Sequence, residues 1–292
     1  MKDCHIHLMP LIGPEDPWRS LPNAVFMAKA AEAGVAGGTI MSLPPVSFRP
    51  DPERSQHWRD RLEHIMQYTS QTPGFHPFFW IDPTEADIFS QISTAVEAGV
   101  RGFKCICNHF APKSCLKQFS AIAETGLPIH FHSGILFDHY ASGEFLRPLA
   151  FEPLLEIRNI RFALAHLGNP WYDECILLHA KFKAAVNNVP GVRKLRMFFD
   201  LTPGVGRVRR MDALRMLLLS GYTVTAPDIL WGTDNRINNY DVKKALFWRD
   251  FDRQAIAAII QESRENPGLY PPLPDELWEM ISERNFTDYY GI

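Results

Sequence analysis

The chain has 292 residues, of which 46% are hydrophobic and 22% charged, and its formal net charge is −3. This length can bury a large core, and the charge balance gives no reason to expect a nucleic acid or a membrane as partner. No uncharged apolar run reaches the roughly 18 residues of a membrane span. The polar residues Asp3, His5 and His7 indicate mature structure rather than a signal peptide at the start. The five scattered cysteines are typical of reduced thiols, so we expect a cytoplasmic protein.

Short apolar stretches alternate with helical patterns along the chain. Strands are predicted near 2–7, 37–43, 75–82, 101–107, 127–133, 160–167, 194–202 and 229–233, and helices near 22–33, 54–70, 84–98, 114–125, 143–157, 172–187 and 208–219. Three of the helices are predicted to end at a left-handed glycine, at Gly34, Gly99 and Gly126. Strands that are apolar on both faces are typical of a parallel sheet. The sequence therefore predicts an α/β fold, a (β/α)₈ TIM barrel, with a doubly wound open sheet as the alternative.

The predicted barrel forms one domain over residues 1–292. Its last part, 240–292, is predicted to add C-terminal packing helices near 241–264 and 274–284. Two proline-rich loops, from Met9 to Pro22 and from Pro44 to Pro50, are longer than a connection requires. Both follow a strand, so in a barrel they lie at the end where substrates bind.

Polar side chains occur at the ends of strands that are otherwise apolar. His5 and His7 end the first strand and, with a period of two, face the side opposite to Cys4, Ile6 and Leu8. Later strands end in or carry Lys104 (fourth), His130 and His132 (fifth), His166 (sixth) and Asp234 (eighth). The carboxyl ends of barrel strands meet at one face, so we expect these groups to converge, and a metal ion is the simplest reason for them to do so.

These stretches resemble the amidohydrolase superfamily, and in particular its branch of metal-dependent barrel hydrolases related to aminocarboxymuconate-semialdehyde decarboxylase. The matching segments are Asp3-Cys4-His5-Ile6-His7, Gly102-Phe103-Lys104, Pro128-Ile129-His130-Phe131-His132-Ser133-Gly134, Ala165-His166-Leu167-Gly168 and Gly232-Thr233-Asp234. They follow the order of the family and span residues 3 to 234. The resemblance implies the barrel fold and a metal-dependent reaction at its mouth.

By this resemblance, His5, His7 and His132 would be metal ligands, and Asp234 would complete the site. Three imidazoles and one carboxylate suit Zn²⁺, while ligand type alone leaves other divalent metals open. Asp234 would also accept the proton of the attacking water. We favour one ion.

The resemblance leaves two roles open for His166 and for Lys104. In single-metal relatives the histidine of the sixth strand is an acid or base, and in two-metal relatives it binds the second ion. Lys104 would hold an anionic oxygen of the substrate, or, carboxylated, would bridge two ions. His130 is expected to be a packed histidine one layer deeper in the barrel. Arg49 and Arg207 are candidates for binding a substrate carboxylate at the mouth.

The expected function is hydrolysis of a small carboxylated cyclic ester, amide or related carbonyl compound by a metal-activated water. Non-oxidative decarboxylation of a small unsaturated or aromatic acid is the alternative, because the family branch contains both reactions. A barrel that has lost catalysis and serves as a binding module is a third reading. The expected partner is a small-molecule substrate, and a symmetric homodimer is the base-rate expectation for the assembly.

Overall fold

The structure is a computed structural model that describes residues 1–10, 19–48, 57–188, 194–204, 206–222 and 224–291. Within these ranges nine parallel strands form one sheet, in the order β8-β7-β6-β5-β4-β3-β2-β1-β9. The strands are β1 (Asp3–His7), β2 (Gly38–Met41), β3 (Phe75–Trp80), β4 (Gly102–Cys105), β5 (Ile129–Phe131), β6 (Arg161–Leu164), β7 (Arg196–Asp200), β8 (Ile229–Leu230) and β9 (Asn235–Arg236). The strands from β1 to β8 lie inside the ranges predicted from the sequence.

The ring of strands closes through an eighth strand that is broken in two. Its first half, β8, pairs with β7, and its second half, β9, pairs with β1. Between the halves, the amide of Cys4 donates a hydrogen bond to the carbonyl of Trp231 at 3.0 Å. The prediction of an α/β (β/α)₈ TIM barrel is confirmed, and the open doubly wound sheet is wrong.

Helices surround the strands. The α-helical segments of the described ranges are α1 (Asn23–Glu32), α2 (Trp58–Thr69), α3 (Ile88–Ala98), α4 (Leu116–Glu124), α5 (Gly143–Leu146), α6 (Tyr172–Asn187), α7 (Arg207–Leu219), α8 (Val242–Glu265), α9 (Leu277–Glu279) and α10 (Asn285–Tyr290). Gly34, Gly99 and Gly126 have φ values of +75°, +94° and +75°, which confirms the predicted left-handed caps. Among the helices described, none combines the length and the apolar character needed to cross a membrane.

One predicted helix differs from the observed structure. The range 143–157 contains the short α5 and then a 3₁₀-helix over Pro148–Glu156. Pro148 and Pro153 lack a backbone N–H, and the proline ring obstructs the carbonyl four residues earlier, so a continuous α-helix cannot form.

The C-terminal helix α10 fills the N-terminal end of the barrel. Phe286, Tyr289 and Tyr290 pack with six inward-facing strand residues, namely Cys4, Met41, Phe78, Ala163, Phe198 and Leu230. Arg161, at the start of β6, donates a hydrogen bond to the carbonyl of Tyr290 at 3.1 Å. With this end closed by side chains, the opposite end of the barrel is the one available to a substrate.

The side-chain alternation expected in β1 is interrupted. The pairing register with β2 shifts between Asp3 and Ile6, and Cys4 lies in the inner cluster of the barrel while Ile6 packs in the outer core. The expectation that Cys4 and Ile6 share a face is therefore wrong, because a bulge inserts an extra residue and reorients the side chains before it.

A buried carboxylate joins α6, β7 and the start of β8. Asp228 contacts Nε2 of His179 at 3.0 Å, Nζ of Lys183 at 2.6 Å and Nε of Arg196 at 2.6 Å. Burial opposes ionisation of Asp228, but the hydrogen bonds and charges of His179 and Lys183 more than offset it and hold the pKa of the carboxyl at about 2. Asp228 is thus an anion whose partners come from two other elements.

We predict that Asp228→Asn lowers the free energy of unfolding by about 2 kcal/mol at pH 7, because it removes a buried anion that forms hydrogen bonds with the buried His179 and the half-buried Lys183 and Arg196. The pKa of the folded state, about 2, lies below the ordinary 3.8, so the stabilisation is complete above about pH 5 and is lost as the pH falls through 2. Urea denaturation of both proteins at pH 7 and pH 3 measures the difference. A difference that is the same at both pH values would contradict the assignment.

Candidate metal centre

A cavity of about 810 Å³ opens at the C-terminal ends of the strands. Six residues predicted from the sequence line it, namely His5, His7, Lys104, His132, His166 and Asp234. The ends of β1, β4, β5 and β6 and the break between β8 and β9 therefore present these groups to a common space.

Three of the predicted metal ligands form a tight group. Nε2 of His5 lies 3.1 Å from Nε2 of His7, and Oδ1 of Asp234 lies 3.2 Å from Nε2 of His7 and 3.7 Å from Nε2 of His5. Donor atoms about 2.0–2.1 Å from a tetrahedral Zn²⁺ are about 3.3 Å from one another. The spacing of these three atoms therefore fits a shared divalent ion.

His132 lies beside this group rather than inside it. Its ring centroid is 5.0 Å from that of His166, and the three-residue group of His5, His7 and Asp234 does not include it. Its Nε2 is buried and has no hydrogen-bond partner in the described part of the chain. A buried ring nitrogen without a partner is costly, and coordination to a metal ion would satisfy it.

The protonation states of these groups suit metal binding. Burial lowers the pKa of His5, His7 and His132, and the nearby ammonium of Lys104 lowers each further. Burial opposes ionisation of Asp234, but the hydrogen bond from His7 and the surrounding histidines hold its pKa well below the usual range. Neutral imidazoles and an ionised carboxylate are the forms that bind a metal ion.

Asp234 reaches the histidines because the eighth strand turns sharply at this point. Its φ is +53°, in the left-handed region that residues other than glycine rarely adopt. The turn is held by Asp3, whose carboxylate accepts hydrogen bonds from the amide of Thr233 at 3.0 Å and from its hydroxyl at 2.6 Å. Burial raises the pKa of Asp3 to about 7 against these hydrogen bonds and one from the amide of His5.

Lys104 places an ammonium group in the cavity wall. The side chain is fully buried, and no residue in the described ranges forms a hydrogen bond with Nζ. Burial lowers its pKa to about 8 although Asp200 and Asp234 favour the charged form, so the amine is mostly protonated at neutral pH. The N–H groups of Nζ can therefore donate hydrogen bonds to an anionic group.

His166 follows β6 in a strained segment of backbone. His166, Leu167 and Gly168 have φ values of +58°, +52° and +67°, a conformation that is concentrated at functional sites. Nδ1 of His166 lies 2.8 Å from the hydroxyl of Thr202, and its ring centroid lies 5.5 Å from that of His5. Nε2 is therefore the nitrogen that remains for a substrate.

Sequence reasoning overlooked Asp200, the last residue of β7. The carboxylate is fully buried, and its Oδ2 accepts hydrogen bonds from Nδ1 of His5 at 2.7 Å and Nε2 of His130 at 2.8 Å. These bonds offset burial and hold the pKa of Asp200 well below its usual range. His130 is fully buried and is not among the cavity-lining residues of the described chain, as expected for a packed histidine. The sequence does contain a signal for Asp200, because this residue ends an apolar strand as other residues of the site do.

An aromatic wall lines one side of the cavity. The rings of Phe48 and Trp80 are 4.9 Å apart, and Trp80 lies 5.6 Å from the ring of His7. Arg61 of α2 holds this wall, since Nη1 donates hydrogen bonds to the carbonyls of Leu43 at 3.0 Å and Trp80 at 2.7 Å. The wall can pack against an apolar ring of a substrate.

The outcome differs for the other two predicted anion-binding residues. Arg49 falls outside the described residues, and Arg207, the first residue of α7, is exposed and is not among the cavity-lining residues that the structure describes. Lys244 of α8 does line the cavity, with Nζ donating a hydrogen bond to the carbonyl of Asp234 at 3.3 Å. Sequence reasoning missed Lys244 because it lies in the C-terminal tail, far from any predicted strand end.

The family follows from a comparison with known proteins. The family model of the amidohydrolases matches residues 3–291, so the chain belongs to the amidohydrolase family. It is accordingly an enzyme of the metal-dependent hydrolase type in general terms. No curated protein sequence matches the chain. The predicted superfamily is confirmed, and the more specific relation to the decarboxylase branch stays a prediction.

Solved structures confirm the fold. A protein from Pseudomonas putida described as a 2-pyrone-4,6-dicarboxylic acid hydrolase is 13% identical with a TM-score of 0.61, and the match covers 99% of this chain and 97% of that one. An amidohydrolase from Burkholderia multivorans with bound zinc is 9% identical with a TM-score of 0.61, and the match covers 100% and 99%. A structure described as amidohydrolase II is 14% identical with a TM-score of 0.62, and the match covers 100% and 99%.

We predict that Gly232→Ala lowers the affinity for Zn²⁺ at least about tenfold, because a methyl group here would displace His5, a predicted metal ligand, and the side chains that pack beside it. A Cβ at this position would lie 2.8 Å from Cγ2 of Thr202, 2.9 Å from Sγ of Cys4 and 3.2 Å from Cβ of His5. We expect a loss of stability of about 1–3 kcal/mol as well. Isothermal titration of the chelator-treated protein with Zn²⁺ measures the affinity. Gly268→Ala, whose Cβ meets nothing within 4 Å, is the matched control, and equal affinities in the two variants would contradict the placement of His5.

Proposed function

We propose that this amidohydrolase opens a small cyclic ester, amide or related carbonyl compound that carries a carboxylate, with one zinc ion in its site. The observation that carries the proposal is the shared cavity. It contains His5, His7 and Asp234, whose ligand atoms have the spacing that a common ion needs, and, in the same wall, the buried ammonium of Lys104. A substrate with a carbonyl group and an acid group would satisfy both.

The ion would be held by His5, His7, His132 and Asp234. When bound, a divalent ion supplies Lewis acidity, which polarises a carbonyl group and makes water more acidic. The zinc bound to the Burkholderia amidohydrolase supports the choice of metal. The name of the Pseudomonas protein supports the substrate class, since a 2-pyrone-4,6-dicarboxylic acid is a cyclic ester that carries two acid groups.

The side chains of the cavity have different roles in the proposed reaction. Asp234, an ionised carboxylate, accepts a proton from the attacking water. His166 offers Nε2 to the leaving oxygen or nitrogen while Thr202 holds Nδ1. Lys104 binds the acid group of the substrate, and the rings of Phe48 and Trp80 pack against its carbon skeleton.

A single ion is favoured by the state of Lys104. A second ion would need a carboxylated Lys104 as a bridge. The pKa of about 8 keeps Lys104 mostly a cation at neutral pH, whereas a carboxylated lysine has no ammonium group. This observation supports Lys104 as an anion-binding group.

Decarboxylation is the alternative that uses the same residues. Lys104 would then hold the acid, and His166 would protonate the carbon from which CO₂ leaves. The two reactions differ in their products, because hydrolysis consumes water and creates a new acid group, whereas decarboxylation releases CO₂.

We predict that the zinc-loaded protein opens carboxylated lactones or cyclic amides in a set of small cyclic compounds, each tested with and without an acid group. Ring opening is followed by uptake of base at constant pH, and released CO₂ is measured in parallel. Treatment with a chelator is expected to lower kcat/KM at least about 100-fold, with recovery on adding Zn²⁺. Release of CO₂ without uptake of base would replace the hydrolase by a decarboxylase.

We predict that Lys104→Met lowers kcat/KM about 100-fold for a carboxylated substrate, since it removes a buried cation that pairs with the acid group. The uncharged methyl ester of the same substrate is the control and is expected to change less than threefold. Metal content is measured on the same samples. About one equivalent of zinc in both proteins agrees with the one-ion site, whereas two equivalents in the natural protein and fewer in the variant would make Lys104 a metal bridge.

A further inference from the structure

The end of β7 lies directly beneath the metal centre. Asp200 and Thr202 are both buried, and neither belongs to the described residues that line the cavity. Each nevertheless contacts a histidine that does line it: Asp200 contacts His5, and Thr202 contacts His166. A role for this strand end must therefore act through the histidines and not through contact with a substrate.

The hydrogen bonds of Asp200 determine where the protons lie. Oδ1 accepts a hydrogen bond from the amide of Thr202 at 2.6 Å, and Oδ2 faces Nδ1 of His5 at 2.7 Å and Nε2 of His130 at 2.8 Å. An ionised carboxylate only accepts hydrogen bonds, so both histidine nitrogens must carry a hydrogen atom. Neutral His5 with a hydrogen on Nδ1 has its lone pair on Nε2, the atom that faces His7 and Asp234.

We propose that Asp200 is a positioning residue that selects the tautomer of His5 in which Nε2 is the metal-binding atom. His130 completes the arrangement as the second donor to the same carboxylate oxygen. A histidine whose tautomer is already fixed does not have to move its proton from one ring nitrogen to the other when it binds the ion. A carboxylate that accepts a hydrogen bond from a ligating histidine raises the metal affinity in this way. The inference rests on the proposed metal centre but not on the proposed substrate.

A second group of residues also has ligand atoms close enough for a metal ion. His5, His130 and Asp200 also have ligand atoms within 4.8 Å of one another. Here, however, the distances of 2.7 and 2.8 Å are those of hydrogen bonds, and an ion would have to displace both protons. The three residues therefore form a hydrogen-bonded support below the metal centre, with His5 as the residue common to both.

Asp200→Asn tests the proposal with almost no change of shape. The amide of Thr202 needs an acceptor, so the carbonyl oxygen of the introduced side chain occupies the Oδ1 position and its NH₂ group faces Nδ1 of His5. An NH₂ group donates, which moves the hydrogen of His5 to Nε2 and blocks the metal-binding lone pair. An asparagine in place of a carboxylate that orients a histidine is known to favour the wrong tautomer in this manner.

Two measurements are needed, both on the full chain after removal of metal by a chelator. Nitrogen-15 NMR of histidine-labelled protein reports which ring nitrogen of His5 carries the hydrogen, and titration with Zn²⁺ gives the dissociation constant. We expect the hydrogen on Nδ1 in the natural protein and on Nε2 in Asp200→Asn, with the dissociation constant raised about 10- to 100-fold in the variant.

Thr202→Val is the matched control. It keeps the backbone amide that contacts Asp200 and removes only the hydroxyl that contacts His166. We expect its zinc affinity to stay within threefold of the natural protein and its His5 to keep the hydrogen on Nδ1.

The outcomes separate this proposal from the proposed function. The NMR reading of the natural protein needs no variant, so a hydrogen on Nε2 of its His5 overturns the proposal even if Asp200→Asn does not fold. Equal zinc affinity in a folded Asp200→Asn and the natural protein also overturns it while leaving the metal centre in place. A natural protein that does not bind Zn²⁺ overturns the metal centre, and this proposal with it.

Discussion

The buried carboxylate of Asp3 connects the first strand of the barrel to the break in the last. It accepts hydrogen bonds from the amide of His5, two residues along β1, and from the amide and hydroxyl of Thr233, next to Asp234. Residues 230 positions apart in the chain are thereby held around one carboxyl group. Because the eighth strand is broken here, Asp234 leaves the sheet and its carboxylate comes within 3.2 Å of His7. This link and the pairing of β9 with β1 hold Asp234 beside His5 and His7.

The polar groups of the barrel interior lie in two layers. In the lower layer Asp200 has hydrogen bonds on both of its oxygens. In the upper layer Nζ of Lys104 and Nε2 of His132 are buried without a partner among the described residues, although each lies at the cavity. Buried polar groups normally have hydrogen-bond partners. Those that lack one and lie at a cavity therefore indicate a binding site for a ligand. The lower layer therefore fixes side chains by hydrogen bonds, and the upper layer presents groups that can bind a ligand.

Much of the barrel could be predicted because its signals are local. A glycine after a helical pattern predicts a left-handed cap, and this signal located the helix ends at Gly34, Gly99 and Gly126. A short apolar run predicts a strand that is buried on both faces, and this signal located the strands. Polar residues at strand ends predicted the groups that line the cavity. Asp200 also ends an apolar strand, so the same signal marks it as a candidate, although it lies beneath the cavity rather than in its wall.

Other features depend on packing between distant parts of the chain and had no local signal. The bulge in β1, which moves Cys4 into the barrel interior, arises from its pairing with β2. Lys244 reaches the cavity only because α8 returns to the barrel mouth. Arg207 follows a strand end as the site residues do, but it begins a helix and is exposed, since the path of a loop is set by what it packs against.

The most direct test of the common metal site is anomalous diffraction at the zinc absorption edge, from crystals of protein loaded with Zn²⁺. We predict one peak per chain at about 2.0–2.2 Å from donor atoms of His5, His7, His132 and Asp234. A chain without a peak at this position, or with its ion between His5, His130 and Asp200, would contradict it.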